Sequence, residues 1–444
     1  MKKIFALCLS ALAVVGLAAC GGSDKGSVYF YNFKPEADAA MKAIAKEYTE
    51  KFGVEVKVET AAGGQYESSL ENEIIKDNAP TIFSINGPVG YQNWKEYTMD
   101  LSNTKLYKEY LSANGRNLAI KDGNVVAGIP VTVEGYGLVY NKTILNNFLS
   151  SSANTTGITS IDGIDSYAKL KLVVEGLDAN KATLGIDGVF ATCLKSGAQW
   201  PYQTHTANIP FYYEFLEANS SSALLGGLSK KTVEFKYENE YKNIIDLYLN
   251  YSATEKASLD GIDYDTAVAQ FATGKAAILQ QGNWVYGNID KVEGKVVTDA
   301  NIGMLPIYTG HAGEENRSIC VGTENFWCVN KDASKADREA SIAFLEWLFS
   351  STEGKAHVTK DLGFIAPFAT FTDADKPTDP LAKEVLRYMD SSKQTIDWAL
   401  AAFPSENFKN VLGQGLVDYS KGTKTWTEVV AATKASWATE ASGR

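Results

Sequence analysis

The feature that most constrains this chain is a regular alternation of strand-like and helix-like segments near its start. Residues 28–33 are β-rich, and residues 37–52 carry apolar side chains at helical spacing. Residues 54–58 alternate as a strand does, residues 66–76 predict a second helix, and residues 80–85 predict a third strand. Strand–helix–strand–helix–strand order requires a parallel sheet with helical crossovers, so we predict an α/β fold.

In such a sheet, ligands bind beyond the carboxyl ends of the strands. In this chain those positions are the loops at residues 32–36, 63–66 and 86–91. We therefore expect a binding site to be built from these three loops.

In the rest of the chain, strand-like and helix-like regions also alternate, but each region is longer. Residues 129–141 read as another strand, residues from about 160 to 282 as a mainly helical middle, and residues 302–308 and 319–329 as a return to β structure. The tail from Ser334 onward is mostly amphipathic helix. This order predicts lobes that share the chain rather than divide it at one point.

The N-terminus reads as an export signal followed by an anchor. Residues 1–19 combine two lysines with an apolar run too short to span a bilayer, which predicts a signal peptide. The following Leu-Ala-Ala-Cys, ending at Cys20, resembles a bacterial lipoprotein box. We expect Cys20 to carry lipid, palmitate included, and residues 20–27 to form a flexible tether. The alternative is an ordinary signal peptide cut near a chance cysteine.

Composition excludes several classes of function. The net charge is −11 without a long basic tract, so nucleic acid is excluded as the main partner. The three histidines are too far apart for a paired metal motif, and no nucleotide-binding glycine loop or serine nucleophile elbow is present. We expect no metal, no cofactor and no catalysis. For Cys193, Cys320 and Cys328 we favour buried free thiols over a Cys320–Cys328 disulfide.

Aromatic residues beside turns suggest a carbohydrate ligand. Aromatic faces pack against the apolar faces of sugar rings, while polar side chains bond the hydroxyl groups. Many of the aromatic residues are nevertheless expected to be core. The sequence does not decide whether a pair of carboxylates for glycoside hydrolysis is present. The distance between two such groups depends on the folded structure and not on their positions along the chain.

Three stretches, taken in order, resemble the maltose-binding-like sugar receptors of ABC importers. Residues 130–142 resemble that family's first hinge strand, ending in Tyr-Asn-Lys, and residues 271–284 resemble its F-x-x-G-x-A-A…G-x-W segment at a second crossing between lobes. Residues 329–354 resemble its helix ending in Ser-x-Glu-Gly. The resemblance covers nearly all of residues 27–444.

The resemblance implies a two-lobed, periplasmic-binding-protein-like (Venus-flytrap) fold with hinge strands between the lobes. We assign residues 28–134 and 284–333 to the first lobe, and residues 135–283 and 334–444 to the second. The chain departs from the maltose-binding pattern in the first loop and around residues 86–91, where charged residues are missing, so the sugar is not specified.

The resemblance also implies a sugar site. Glu134 would accept hydrogen bonds from hydroxyl groups, and Trp284 would stack on a ring. The expected sugar-binding residues are Asn32, Lys34, Gln65, Asn86, Glu134, Tyr136, Trp200, Tyr202, Trp284, Glu324, Asn325 and Phe403.

The implied function is that of a monomeric substrate-binding component of an ABC transporter, anchored by lipid outside the cytoplasm. It would capture an oligosaccharide, for example an α-linked one of the malto- or raffinose-type, and deliver it to the transmembrane permease subunits. The alternatives are a receptor for a non-sugar solute, such as a peptide or polyamine, and an extracellular carbohydrate-active enzyme.

Overall fold

The structure, a computed structural model, describes residues 25–62 and 65–443. The predicted signal peptide, Cys20 and residues 63–64 lie outside this part of the chain. The strands are β1 Val28–Asn32, β2 Val56–Thr60, β3 Ile82–Ile85, β4 Ile120–Asp122, β5 Val125–Pro130, β6 Glu134–Asn141, β7 Gly188–Phe190, β8 Ala276–Gly282, β9 Ile302–Leu305, β10 Arg317–Gly322, β11 Phe326–Val329 and β12 Gln394–Asp397.

The α-helices are also numbered in chain order. They are α1 Asp38–Phe52, α2 Tyr66–Glu73, α3 Pro88–Trp94, α4 Ala113–Leu118, α5 Lys142–Leu149, α6 Tyr167–Ala179, α7 Lys181–Leu184, α8 Ala207–Ala218, α9 Ala223–Leu228, α10 Glu238–Asn250, α11 Tyr264–Ala272, α12 Tyr286–Asp290, α13 Lys335–Ser350, α14 Thr352–Ala356, α15 Pro380–Met389, α16 Glu406–Ser420 and α17 Trp426–Glu440.

The first lobe is built on a sheet of order β2-β1-β3-β11-β5-β4. Strand β1 pairs in parallel with both β2 and β3, which confirms the parallel sheet expected from the early alternation of segments. Helices α1 and α13 cover one face through a core that includes Met41, Ile44 and Phe344, while α2 and α3 cover the other face. The carboxyl ends of β1 and β3 therefore point to one edge of this lobe.

The second lobe is built on a sheet of order β12-β10-β6-β8-β7, with β9 also paired to β6. Strand β6 is buried along its whole length, because β8 covers one of its edges and β9 and β10 share the other. Helices from the middle of the chain and the tail enclose this sheet in one large core. The fold is thus a two-lobed α/β fold, as expected.

Two short connections between the lobes run side by side. The first, residues 131–133, links β5 to β6, and the second, residues 323–325, links β10 to β11. Strands β5 and β11 pair where Pro130 faces Phe326, and β6 and β10 pair where Glu134 faces Gly322. A third connection follows Phe371 and enters α15. The strand-like run expected over residues 129–141 is therefore two strands joined by a hinge.

The structure corrects the expected division of the chain between the lobes. Residues 302–322, placed in the first lobe by the sequence, form β9 and β10 of the second sheet. Helices α13 and α14, placed in the second lobe, follow β11, and α13 packs on the first sheet. The reason is that β8 pairs with β6 over five residues and the chain then continues to β9 in the same sheet. The second crossing lies at residues 323–325, not near residue 284.

A further correction concerns the middle of the chain, which is not helical as far as residue 282. Residues 276–282 form β8, an entirely buried strand between β6 and β7. Cys193, Cys320 and Cys328 are buried free thiols, as favoured from the sequence. Within the described ranges, no helix combines the length and the apolar character needed to cross a membrane.

Candidate functional site

A buried ion pair lies where the first lobe meets the second. Lys34 follows β1 in the first lobe, and its Nζ lies 2.7 Å from Oε1 of Glu134, the first residue of β6. Glu36 Oε1 lies 3.5 Å from the same Nζ. Burial lowers the pKa of Lys34, but the two carboxylates outweigh that effect, so the pKa is raised and the ammonium stays charged. The pair therefore joins the two lobes where the first connection enters β6.

Trp284 forms the next part of the site, directly after β8. Its ring centroid lies 5.9 Å from Nζ of Lys34, within range of a cation–π interaction. Its Nε1 donates a hydrogen bond to Oε1 of Gln281 at 2.9 Å. The ring lies flat over Gly282, where a β-carbon would come within 2.2 Å of the indole. Glycine at this position therefore allows Trp284 to lie along the cleft, half-buried.

Five rings form what we call the aromatic wall: Tyr136, Trp200, His205, Trp284 and Trp398. The ring of His205 stacks on Tyr136 at 4.5 Å between centroids and lies 5.2 Å from Trp284 and 5.3 Å from Trp200. Trp398 lies 5.4 Å from Tyr136. Trp200 and Trp284 are only half-buried, so they are the rings of the wall that a ligand would reach first.

Several buried polar atoms around the aromatic wall and the second connection have no hydrogen-bond partner. In the described part of the chain these include Gln203 Oε1, His205 Nδ1, Gln281 Nε2, Thr323 Oγ1, Asn325 Oδ1 and Trp398 Nε1. A buried polar group without a partner costs about 1–3 kcal/mol. Such atoms beside aromatic rings suit a ligand that has apolar faces and many hydroxyl groups.

Burial also fixes the protonation state of the histidine in the wall. It lowers the pKa of His205 to about 3, and Lys409 and Lys34 contribute in the same direction. His205 is therefore neutral at physiological pH. A neutral imidazole with a free Nδ1 can donate or accept one hydrogen bond at that atom.

A group of charged residues acts on Lys409, and we call it and Lys409 the charged section: Glu67, Glu324, Glu406 and Lys409. Lys409 Nζ lies 2.6 Å from Oε1 of Glu406, its neighbour on α16. Burial lowers the pKa of Lys409, but the carboxylates of Glu406, Glu324 and Glu67 outweigh it, and the pKa is raised. Oε2 of Glu67, in the first lobe, accepts a hydrogen bond from Trp94 Nε1 at 2.8 Å. The charged section thus includes residues of both lobes.

The structure places five of the residues expected from the sequence in the ion pair, the aromatic wall and the second connection. Lys34 and Glu134 form the ion pair, Trp200 and Trp284 belong to the aromatic wall, and Glu324 lies in the second connection. Burial raises the pKa of Glu324, and Lys409 opposes that rise. Their contact with a ligand stays a prediction.

Two expected contacts are corrected. The ring of Tyr202 is 2% exposed, and its hydroxyl accepts a hydrogen bond from the backbone N–H of Cys193. Phe403 is equally buried and packs against Phe211, Phe408 and Trp437. Both side chains therefore belong to the hydrophobic core of the second lobe.

Two other residues expected to bind the sugar form hydrogen bonds within the protein. Asn32 uses its side-chain amide to bond the backbone N–H and C=O of Lys34 and the hydroxyl of Thr60, so it holds the loop that presents Lys34. Tyr136 is fully buried and donates its hydroxyl to the backbone oxygen of His205. Within the aromatic wall it is a fully buried ring that packs against His205 and Trp398.

The remaining expected residues are placed as follows. Gln65 is exposed just before α2, and Asn86 is half-buried after β3, with its side chain against Gly90 of α3. Asn325 is buried in the second connection with Oδ1 unpartnered. Nothing in the described structure tests whether these three contact a ligand.

The residues expected from the sequence did not include His205, Glu67 and Lys409, and Trp398 was considered only as one of the aromatic residues beside turns. For Lys409 a signal existed, because it lies between Phe408 and Leu412 on the buried face of α16, where a lone lysine is unusual. For His205 the sequence carried no such signal, since its position depends on how the turn at Pro201–Thr206 packs against β6.

Metal-dependent chemistry finds no support in the residues the structure describes. In residues 25–62 and 65–443, no group of three or more His, Cys, Asp or Glu side chains could hold a metal ion.

Comparisons with known proteins agree with this geometry. The family model described as bacterial extracellular solute-binding protein matches residues 43–387. A multiple sugar-binding protein of Streptococcus mutans serotype c (strain ATCC 700610 / UA159) is 22% identical over 394 residues, covering 86% of each chain. A solved chitin oligosaccharide binding protein is 19% identical with a TM-score of 0.73, covering 95% of this chain and 100% of that one. A sugar transporter from Bacillus licheniformis, solved with stachyose, is 15% identical with a TM-score of 0.67, covering 93% and 100%.

Proposed function

Because the chain belongs to the family of bacterial extracellular solute-binding proteins, we propose that it is the substrate-binding component of an ABC importer and that its cargo is an oligosaccharide. The observation that carries this proposal is the aromatic wall between the lobes, with unpartnered polar atoms beside half-buried rings. Indole faces suit the apolar faces of sugar rings, and the polar atoms suit hydroxyl groups.

The names of the similar proteins support a saccharide as cargo. They include a multiple sugar-binding protein, a chitin oligosaccharide binding protein and a transporter protein in complex with stachyose. These ligands differ in linkage and composition, so the similarity supports the class of ligand and leaves the particular sugar to experiment. An α-linked oligosaccharide of the malto- or raffinose-type remains the cargo that we test first.

The mechanism follows from the two lobes and their short connections. The empty protein samples open and closed arrangements, and a ligand that contacts both lobes favours the closed one. Micromolar affinity corresponds to about 8 kcal/mol, which a few stacking contacts and charge-assisted hydrogen bonds supply. The closed, loaded form then delivers the sugar to the transmembrane permease subunits, and no bond of the sugar is broken.

Lipid on Cys20 would hold the receptor at the outer surface of the membrane, near its permease. At the start of the described chain, the backbone N–H of Ser27 donates to Oδ1 of Asp337 at 2.7 Å. This bond fixes the end of the tether to the first lobe. A single acyl chain binds a membrane only weakly, so more than one chain is expected on the protein.

The test is calorimetric titration of the purified protein with maltooligosaccharides, raffinose-family sugars, chitin oligosaccharides, β-linked xylan fragments, monosaccharides and a peptide mixture. Micromolar binding of one oligosaccharide class, with the sugar recovered intact by mass spectrometry, supports the proposal. Binding of peptides alone would reassign the receptor to another solute, and release of shorter sugars would reassign it to an enzyme.

A further inference from the structure

The turn that carries Trp284 is fixed to the second sheet on both sides of that residue. Asn283 and Val285 are buried, and Oδ1 of Asn283 accepts a hydrogen bond from the backbone N–H of Gly135 at 3.0 Å. Gly282, just before the turn, is the last residue of β8 and pairs with β6. The backbone at Trp284 therefore has little freedom, and the rotation of its indole ring is what remains to be fixed.

Packing against other rings does not fix the plane of this indole. The four other rings of the aromatic wall lie 5.2 to 6.4 Å from it between centroids, at 48° to 85° to its plane, so none of them stacks on it in parallel. Trp284 is also only half-buried. The torsion that turns an indole about its bond to Cβ has a broad range of allowed angles. A further contact is needed to hold the ring in one orientation.

Gln281 supplies that contact from within the sheet. Its side chain is 1% exposed, and its Oε1 accepts the Nε1–H of Trp284 at 2.9 Å. An indole N–H can only donate, so the amide oxygen, and not the amide nitrogen, has to face it. Nε2 of Gln281 has no hydrogen-bond partner in the described part of the chain. A substitution that removes this amide therefore takes away the bond to Trp284 and breaks no other bond that the structure records for the side chain.

We propose that Gln281 is a positioning residue, which fixes the plane of the Trp284 indole before the ligand arrives and thereby raises the affinity for the sugar. This inference rests on the proposed function of the site as a saccharide site. A ring that is already held in its binding orientation loses less conformational entropy when the ligand binds. The same bond keeps the ring face near the ammonium group of Lys34, whose Nζ lies 5.9 Å from the ring centroid.

The first experiment compares Gln281→Met with Gln280→Met, a matched control from the same strand. Gln280 is 2% exposed, and neither polar atom of its side chain has a partner among the described residues. Calorimetry measures the affinity of each variant for maltotriose, raffinose and N-acetylchitotriose. We expect Gln281→Met to weaken binding of the sugar that binds by about three- to tenfold, and Gln280→Met to change it by less than about twofold. Gln281→Glu keeps an acceptor oxygen and should bind more tightly than Gln281→Met.

A second experiment distinguishes positioning from a general structural effect. In Trp284→Phe no N–H is left for Gln281 to accept, so adding Gln281→Met should change the affinity by less than about twofold. A thermal melt shows that each variant is folded. Equal losses from Gln281→Met with and without the indole nitrogen would overturn the inference, because Gln281 would then act independently of the ring.

A third measurement needs no ligand. In protein labelled with ¹⁵N-tryptophan, the indole resonance of Trp284 is the one that disappears in Trp284→Phe. Loss of the hydrogen bond should shift this resonance in Gln281→Met and leave it in place in Gln280→Met. If the unmodified protein binds none of the three sugars, the proposed function fails, and the resonance alone then decides the inference. A shift in Gln281→Met supports the positioning of the ring, and an unmoved resonance overturns it.

Discussion

Nζ of Lys34 in the first lobe lies 2.7 Å from Oε1 of Glu134, the first residue of the second lobe's central strand. The two side chains come from positions a hundred residues apart, and both are buried. Breaking a buried pair by removing one partner costs about 3–5 kcal/mol, because the other charge is left uncompensated.

The first prediction follows from this pair. Glu134→Ala should lower the free energy of unfolding by about 3 kcal/mol, whereas Lys34→Met combined with Glu134→Leu should lower it by less. Urea denaturation of the three proteins measures the difference. Equal stability of the single and the double variant would show that Lys34 is hydrated in the single variant and that the pair is effectively at the surface.

The second prediction concerns Trp284. Trp284→Ala should weaken binding of the preferred sugar at least tenfold without unfolding the protein, because the ring is half-buried and borders the cleft. The control is Phe403→Leu, which changes a core ring of the same lobe. It should lower stability by about 1–3 kcal/mol and leave affinity unchanged. Calorimetry and a thermal melt separate the two effects, and unchanged affinity in Trp284→Ala would remove this residue from the site.

The third prediction concerns pH. The pKa of His205 is lowered to about 3 in the folded protein by burial and by Lys409 and Lys34, against about 6.5 for an unperturbed histidine. Below about pH 6.5 the unfolded chain takes up a proton that the folded chain does not, so stability is lost as the pH falls toward 3. The loss from this group approaches about 1.4 kcal/mol per pH unit.

Urea denaturation at pH 7, 5.5 and 4.5 checks this prediction on the unmodified protein and on His205→Gln. The stability of the unmodified protein should fall more steeply than that of the variant. Asp379 acts in the opposite direction, since burial raises its pKa to about 6, so the difference between the two proteins is the informative quantity. Parallel pH profiles would contradict the burial of a neutral His205.

The fourth prediction concerns the thiols. Burial raises the pKa of Cys193 and of Cys320 to about 12 and also raises that of Cys328. Since the thiolate is the reactive form, all three should resist iodoacetamide in the native protein and react in denaturant. Peptide mass spectrometry without reductant measures both states. A Cys320–Cys328 disulfide would appear as one tryptic peptide, with both cysteines unlabelled in denaturant, because no Lys or Arg lies between them.

The early part of the fold was predictable because its signals are local. Apolar spacing over residues 37–52 and the strand character of residues 28–33 depend only on near neighbours, and the structure has β1 and α1 there. The lobe boundary was not predictable in the same way. Whether residues 302–322 pair with β6 or with β3 depends on partners far along the chain, and β9 and β10 pair with β6. A strand's own sequence does not specify the sheet that it joins.

The same distinction between local and long-range signals applies to the candidate site. Lys34, Glu134 and Trp284 were singled out because each stands at the end or start of a recognisable strand or motif, and the structure places the three side chains close together. Tyr202 and Phe403 were misplaced because an aromatic residue near a turn has the same local sequence whether its ring faces a cleft or a core. Lys409 carried a usable signal in its apolar surroundings on α16, while His205 acquired its place only through packing against Tyr136.

The paired connections at residues 131–133 and 323–325 limit how the lobes can move. Each is held in register by strand pairing on both sides, Pro130 with Phe326 and Glu134 with Gly322. Two strands fixed in this way can bend and twist together, but they cannot slide past each other. Opening therefore proceeds by bending and twisting at these connections, without translation of one lobe along the other.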